Sequence, residues 1–401
     1  MNTPVPLVPL AGVRVLEAAR ILAGPFCGQL LGDLGAEVIK LERPGTGDDT
    51  RTWGPPFLGP LSAYFLSCNR NKRSVTLDVS QPAGQRIFAT LAGQADVVIE
   101  NFRTDSAAKL GLTPAALLAA HPRLIVCSIS GYGRTGPWAE RPGYDFAIQA
   151  ESGLMSITGP SAGPPSKVGV AVADVLTGLY AATVILACLH ARSHSGHGYH
   201  IDLALLDCAV AAQVNVAQAF LTSGTVPARQ GNAHLQIVPY QLFATADGWL
   251  VLAVGNDGQW QHFCTAAGAS ALAADARFAR NADRVRQRAE LVPQLEQLLR
   301  TRTTAEWETA LTAVNVPHAR VWDYATLFQH EQAAARGLRV TVHDPAGQPV
   351  DLLGAPFHLN GQTPPLPTAP PTLGQDTESV LRSLAHCSDA DLVAWRAAGV
   401  I

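Results

Sequence analysis

Residues 13–42 read VRVLEAARILAGPFCGQLLGDLGAEVIKLE, and this stretch decides the fold class. Residues 13–17 form a short β-branched run that predicts a strand. Residues 26–34 carry apolar side chains at helical spacing and stop at Gly35, a residue that readily takes the left-handed conformation of a helix end. Residues 37–42 predict the next strand. The alternation continues outward. Ser80-Gln-Pro opens a helix to about residue 92 with Pro82 in its first turn, residues 96–100 read as a strand, Thr113-Pro114 opens another helix, and residues 124–129 form a further strand. Such alternation predicts an α/β domain with a parallel sheet and crossover helices. In such sheets ligands sit beyond the carboxyl ends of the strands. Glu17, Arg43, Asn101, Ser130 and Asp174 fall at or near such ends.

Residues 203–221 read as one long, mostly apolar helix with Asp207, Gln213, Asn215 and Gln218 as its polar positions, the pattern of a buried helix. Past Gly224 the character changes. Residues 240–254 predict a hairpin turning at Asp247-Gly248. Helices are expected near 258–268, 283–301 and 303–314, the last opened by the capping box Thr303-x-x-Glu306. The Pro-rich run 361–371 reads as an extended connection. Two short helices close the chain, the second opened by Ser388-x-x-Asp391. The expected organisation is therefore a large domain over 1–200 completed by 365–401, a linker helix over 201–225, a small α+β domain over 226–330, and a return linker over 331–364.

Apolar residues make up 47% of the 401 residues and charged ones 15%, against a usual charged share of about 25%. Much of the surface is thus expected to be covered, by a large core or by another subunit. A formal charge of −3 gives no electrostatic case for nucleic acid or an anionic membrane. Seven cysteines are scattered and never form C-x-x-C, a free-thiol usage that points to the cytosol. The opening MNTPVP lacks the basic and apolar regions of a signal peptide. Residues 168–189 are apolar but carry Asp174, which a lipid span would rarely tolerate, so they read as strand plus core helix.

Asp174 closes the run VGVAVAD at 168–174 and opens the apolar stretch that follows. Two readings stand side by side: a helix N-cap, whose carboxylate accepts first-turn amides, and a shielded carboxylate nucleophile. No Gly-x-Gly-x-x-Gly follows the first strand, and Gly45-Thr-Gly-Asp-Asp lacks the third glycine and the helix that dinucleotide motifs require. His190, His194, His197 and His200 cluster without a Cys, Asp or Glu to complete a metal set, so no metal is expected. Arg70-Asn-Lys-Arg73 reads either as an exposed loop or as a contact for phosphate oxygens. Tyr144, after the turn Gly131-Tyr-Gly-Arg-Thr-Gly, reads as a packing residue.

These stretches together resemble the class III CoA-transferase family (the CaiB/BaiF family, which includes formyl-CoA transferase). The resemblance rests on Leu22-Ala-Gly-Pro25, the run LGDLGAEVIKLERP at 31–44, Gly47-Asp-Asp-Thr-Arg51, Asn69-Arg-Asn-Lys-Arg-Ser74, DVVIENFR at 96–103, Arg141-Pro-Gly-Tyr-Asp145 and Asp174, and it spans the whole chain. It implies a Rossmann-like large domain with a parallel sheet built from both chain ends, a smaller α+β domain, and an interlocked homodimer. It places Asp174 on the catalytic aspartate, which carries first an acyl group as an anhydride and then CoA as a thioester. For CoA, the matching positions are Ala23, Arg43, Leu77, Asn101, Phe102, Lys109 and Tyr144, with Lys109 standing where relatives often have arginine. No permanently bound cofactor is implied; coenzyme A and acyl-CoA are substrates. The family also holds acyl-CoA racemases, which have histidine at the position of Tyr144, so a CoA-transferase is favoured over a racemase. The Arg-Pro-Gly-Tyr-Asp run and Gly-Leu-Met-Ser-Ile-Thr-Gly at 153–159 resemble members that use succinyl-CoA with small dicarboxylates. Arg51 and Arg103 are the cations a distal carboxylate could meet.

Overall fold

The computed structural model describes residues 8–401, so the MNTPVP opening lies outside the described residues. The chain divides into two compact units. One comprises the chain up to Gly153, Val168–Gln213 and Glu331–Ile401; the other comprises Leu154–Lys167 and Val214–His330.

The first unit is built on a six-stranded sheet: β1 (Arg14–Ala18), β2 (Glu37–Glu42), β3 (Lys72–Thr76), β4 (Val97–Glu100), β5 (Ile125–Ser130) and β6 (Tyr199–Ala204). Every pairing is parallel and the order is β3-β2-β1-β4-β5-β6. This is the doubly wound order, and it reverses direction between β1 and β4, which is where such sheets open a crevice. The helices of this unit include α1 (Ala23–Asp33), α2 (Pro82–Gly93), α3 (Thr104–Leu110), α4 (Pro114–Ala120), α5 (Asp145–Glu151), α6 (Val172–Ser195) and α7 (Leu205–Ala211). Near the carboxyl terminus it adds α12 (Thr377–Leu384) and α13 (Asp389–Ala397).

Period-two alternation explains why both faces are covered. Val15, Val97, Ile99, Ile125, Cys127 and Ile129 point to one face and pack with Cys27 and Leu31 of α1 and Ala181 and Ile185 of α6. Leu16, Ile39, Val98 and Val126 point to the other, against Ile87, Phe88 and Leu91 of α2, Leu117 of α4, and Val380, Leu381 and Leu392 near the carboxyl terminus. The far end of the chain therefore contributes helices to the sheet's second face, and no strand, contrary to the expectation of a sheet built from both ends. The apolar length of α6 would suffice to cross a bilayer, yet Ala173, Thr177, Gly178, Ala181, Ala182 and Ile185 are buried within this unit.

Three further expectations change. The long helix over 203–221 is not formed. β6 runs through Ala204, α7 ends at Ala211, and a separate helix α8 (Val214–Ser223) follows. The Gln213 side chain turns back to the carbonyls of Ala209 (3.2 Å) and Ser152 (2.9 Å), satisfying the end of α7. Residues 331–364 are more than a linker. They contain the hairpin of β10 (Arg339–His343) and β11 (Pro349–Leu353), whose alternating Val342, Val350 and Leu352 form a small core of their own. Finally, 168–171 is loop, because the buried Gln149 amide stands in for a strand neighbour: it accepts from the Val168 N–H (2.8 Å) and donates to the Val170 carbonyl (3.3 Å).

The second unit holds the antiparallel sheet β9-β8-β7, made of β7 (Tyr240–Ala244), β8 (Trp249–Ala253) and β9 (His318–Arg320). Its helices include α8 and then α9 (Asp257–Ala267), α10 (Arg288–Leu299) and α11 (Thr304–Ala313). The hairpin turns at Asp247-Gly248 as expected, and the Thr303–Glu306 capping box is formed. Its core gathers Trp260, Phe263, Leu291, Leu295, Leu299 and Trp307.

Phe88 is fully buried on the second face of the parallel sheet. Phe88→Ala is expected to lower the unfolding free energy in urea by about 3–5 kcal/mol, and a loss below about 1 kcal/mol would contradict this account of the core.

Candidate active site

The site begins at the end of β1. Glu17 points into the protein, where Lys40 of β2 and Lys72 of β3 meet it with no solvent exposure. Lys40 Nζ lies 2.9 Å from Glu17, 2.9 Å from Asp48 and 3.0 Å from the Ala19 carbonyl. Lys72 Nζ lies 2.8 Å from the other Glu17 oxygen, 2.7 Å from the Pro25 carbonyl and 2.9 Å from Asn69. Burial works against the Lys40 charge, but Glu17, Asp48 and Glu42 more than offset it and hold the lysine protonated. Each ammonium thus has three oxygens within 3.0 Å, and through Ala19 and Pro25 the two lysines hold the chain on either side of the β1–α1 loop.

That loop is held in an unusual shape. Ile21 has φ +74°, a genuine outlier for a β-branched residue. Its N–H is taken by the Asp48 carboxylate at 3.2 Å. The backbone of Arg20 is clamped by Asn101 at the end of β4, whose Oδ1 accepts from the Arg20 N–H (3.2 Å) and whose Nδ2 donates to the Arg20 carbonyl (3.0 Å).

Asp174 comes to this loop on α6. A Cβ added to Gly178, one turn further along α6, would lie 2.8 Å from the Ala23 carbonyl. Only glycine lets α6 approach the start of α1 so closely. Asp174 is in the first turn of α6 but does not cap it; the cap residue is Ala171. The capping bond comes from Asp145, which accepts the Ala173 N–H at 2.8 Å and is fixed by Gln149 at 2.7 Å. Tyr144 is placed beside β5 by the contact of Gly131 with Gly143, where a Cβ on Gly131 would lie 2.7 Å from the Gly143 Cα.

Asp174 is 9% exposed. Burial pushes its carboxyl up to about 7, and the neighbouring Asp145 charge adds to the rise. It lines a cleft of about 190 Å³ with Ala23, Asn101, Phe102 and Tyr144 among its walls. A second cleft, about 310 Å³, carries Arg43 and Leu77 and shares Arg20, Asn101, Phe102 and Arg103 with the first. Both open at the crevice between β1 and β4.

Most of the expected site residues are thus brought together, with differences. Lys109 lines neither cleft; it is 78% exposed on α3 with Asp105 at 3.7 Å. Tyr144 is 59% exposed on the cleft wall and is not a core packing residue. The Asn101 carboxamide is occupied by the Arg20 backbone. Arg51 is committed elsewhere, bonded to both Glu42 oxygens (2.7 and 2.6 Å) and stacked over Phe65. The Arg70–Arg73 group is neither an exposed loop nor a phosphate contact: Arg70 is buried against Asp33 (2.8 and 2.5 Å) and Lys72 against Glu17. Sequence reading missed Arg20, which lines both clefts and pairs with Asp49 at 2.5 Å. It also missed Tyr64, whose phenol is pushed up to about 12 by burial and then by Asp174. Arg20 lies two residues past the end of the first strand, and that position alone could have marked it.

A model of CoA-transferase family III matches residues 10–377. The chain is 44% identical over 388 residues to the succinate–glutarate CoA-transferase of Agrobacterium fabrum, covering 94% of this chain and 96% of that one. It is 39% identical over 393 residues to the succinyl-CoA:glutarate CoA-transferase of Homo sapiens, covering 98% and 90%. The crystal structure of a CaiB/BaiF family protein from Brucella suis matches with a TM-score of 0.82 at 44% identity, over 94% of this chain and 99% of that one. The chain belongs to CoA-transferase family III.

A CoA-transferase with a carboxylate buried in this way bears a stability cost. The Asp174 pKa rises from 3.8 to about 7 on folding, so its ionisation opposes folding. The penalty is complete above about pH 7, fades as the pH falls toward 3.8, and is absent below. Asp174→Asn is expected to raise the melting temperature by a few degrees near pH 8 and to leave it unchanged near pH 4. An equal effect at both pH values would contradict the buried charge.

Proposed function

We propose that this CoA-transferase moves CoA from succinyl-CoA, or a similar dicarboxylyl-CoA, to a small dicarboxylate such as glutarate, with Asp174 as the covalent carrier. The named activities of the relatives support the substrate class. The observation that carries the mechanism is the position of Asp174: a poorly solvated carboxylate in a cleft continuous with a second, cation-lined one.

Asp174 attacks the thioester carbonyl, the C–S bond breaks, and CoA leaves as its thiolate. The mixed anhydride so formed is attacked by that thiolate at the aspartyl carbonyl, which releases the donor acid and leaves an aspartyl–CoA thioester. The acceptor carboxylate attacks the same carbonyl and again displaces the thiolate. The thiolate then takes the new acyl group from the second anhydride, and Asp174 is regenerated as a carboxylate. No proton is gained or lost overall, and acyl bonds of similar energy are exchanged at every step. Desolvation raises the basicity of Asp174 and keeps water from the intermediates. Arg20 and Arg43, both in the second cleft, suit the phosphates of CoA.

The active form is proposed to be a homodimer, interlocked as the family resemblance implies. Leu179 and Tyr180 on α6, Val210 on α7, and Val214 and Leu221 on α8 expose apolar surface that a second copy would cover. The seven cysteines are all free, which supports a cytosolic location.

Incubation with succinyl-CoA and a panel of mono- and dicarboxylic acids, with new thioesters identified by mass, is expected to yield glutaryl-CoA or a close homologue. Asp174→Ala is expected to lower transfer by at least about a thousandfold. No transfer from any donor, or undiminished transfer by the variant, would sink the proposal. The kcat/KM for the donor is expected to rise with pH through about 7, where Asp174 loses its proton in the free enzyme. Asp145→Asn removes the second cause of the raised pKa and should move this limb to lower pH. A limb that stays put would remove Asp145 from the account.

A further inference from the structure

Glu100 and Arg134 form an ion pair that lines neither cleft. Glu100 is the last residue of β4, and Arg134 lies in the glycine-rich turn after β5. Their side chains are 1% and 10% exposed. The guanidinium Nη2 bonds Glu100 Oε1 and also reaches the Phe102 carbonyl at 3.4 Å. Glu100 Oε2 accepts the Phe102 N–H at 2.8 Å. Phe102 is therefore held at both its backbone polar groups, the amide by the carboxylate and the carbonyl by the guanidinium. The Arg134 N–H is itself tied to Asp202 of β6 at 3.1 Å. Phe102 lies between Asn101 and Arg103, and all three line both clefts.

We propose that Arg134 and Glu100 are positioning residues for acyl-CoA: by fixing the Phe102 peptide they set the wall shared by the two clefts, so that one CoA chain can run from the outer cleft to Asp174. This rests on the CoA-transferase reading above. A positioning role and a purely stabilising one differ in what they change. The two roles separate in kinetics, because CoA must fit the wall whereas the acceptor acid meets an enzyme that already carries CoA.

The test compares Arg134→Gln, Arg134→Lys, Glu100→Gln and the Arg134→Gln/Glu100→Gln double variant. Donor KM, acceptor KM and kcat are measured, together with the affinity for free CoA by calorimetry. Arg134→Gln is expected to raise donor KM and the CoA dissociation constant on the order of tenfold, with acceptor KM and kcat within about twofold. Arg134→Lys keeps the charge but not the planar reach that lets Nη2 bond both acceptors, and should fall between the two. A pH series adds a second readout. Burial already raises the Glu100 pKa, and Arg134 is the largest influence against it. Without Arg134 the carboxyl takes up a proton more readily as the pH falls, so donor KM in Arg134→Gln should climb with falling pH more steeply than in the unaltered protein.

The other groups facing Glu100 are Ser128 of β5, which contacts His200 of β6 at 3.0 Å, and the Cys127 thiol. They remain in the double variant, where the pH trend should vanish. A trend that persists there belongs to His200 and overturns the assignment. The assignment also falls if the variants shift only the melting temperature, or change kcat and both KM values alike. Should Arg134→Gln fail to fold, Arg134→Lys and the double variant, which leaves no unpaired buried charge, carry the same comparison. CoA transfer absent from the unaltered protein would refute the parent reading instead, and CoA affinity would still decide the role of the pair.

Discussion

Lys40 carries a full charge with no solvent exposure, and the shape of the cleft at Asp174 follows from how that charge is accommodated. Glu17 and Asp48 each lie 2.9 Å from it, and the Ala19 carbonyl accepts a hydrogen bond from it at 3.0 Å. A buried ion pair of this kind adds little net stability over an apolar packing, but losing one partner typically costs about 3–5 kcal/mol. Its consequence is geometric. Asp48 also holds the Ile21 amide, Lys72 holds the Pro25 carbonyl, and the intervening residues have no freedom to relax toward an ordinary conformation. The start of α1 is thereby fixed, and α6 can dock on it through Gly178 with Asp174 at the crevice.

The same logic explains how the Asp174 carboxylate is kept basic. Asp145 satisfies the first turn of α6, so Asp174 is relieved of that task. With burial raising its pKa and a second carboxylate beside it, Asp174 is more basic than a solvated aspartate while still ionised above neutral pH. Stability is given up at the residue proposed to carry CoA, as is common where a site must hold a group in an unfavourable environment.

Much of the parallel sheet was legible in the sequence. The strands around residues 15, 39, 98 and 126 carry β-branched runs bounded by clear helix starts, and local pattern suffices there. Residues 168–171 were misread as a strand for a physical reason: their sheet-like partner is the Gln149 side chain, which no periodicity reveals. The Arg70–Arg73 group was misread because the acids that neutralise it, Asp33 and Glu17, are distant in sequence. The broken helix at Gln213 and the 339–353 hairpin were missed, the first because a side chain satisfies the helix end, the second because its short alternating runs lie beside a Pro-rich tract. The resemblance placed Ala23, Arg43, Leu77, Asn101, Phe102, Tyr144 and Asp174 around the two clefts, whereas Lys109 stands apart. Tyr64 and the Glu100–Arg134 pair became visible only in the folded chain, where residues distant in sequence meet.

The central claim is that Asp174 itself carries CoA between donor and acceptor. The most direct measurement is the intact mass of the protein after brief mixing with succinyl-CoA and no acceptor, followed by peptide mapping. The account predicts an adduct of one coenzyme A less water per chain, located on Asp174, discharged by glutarate and absent in Asp174→Ala. Turnover with an unmodified Asp174, or an adduct on another residue that discharges at the rate of turnover, would contradict it.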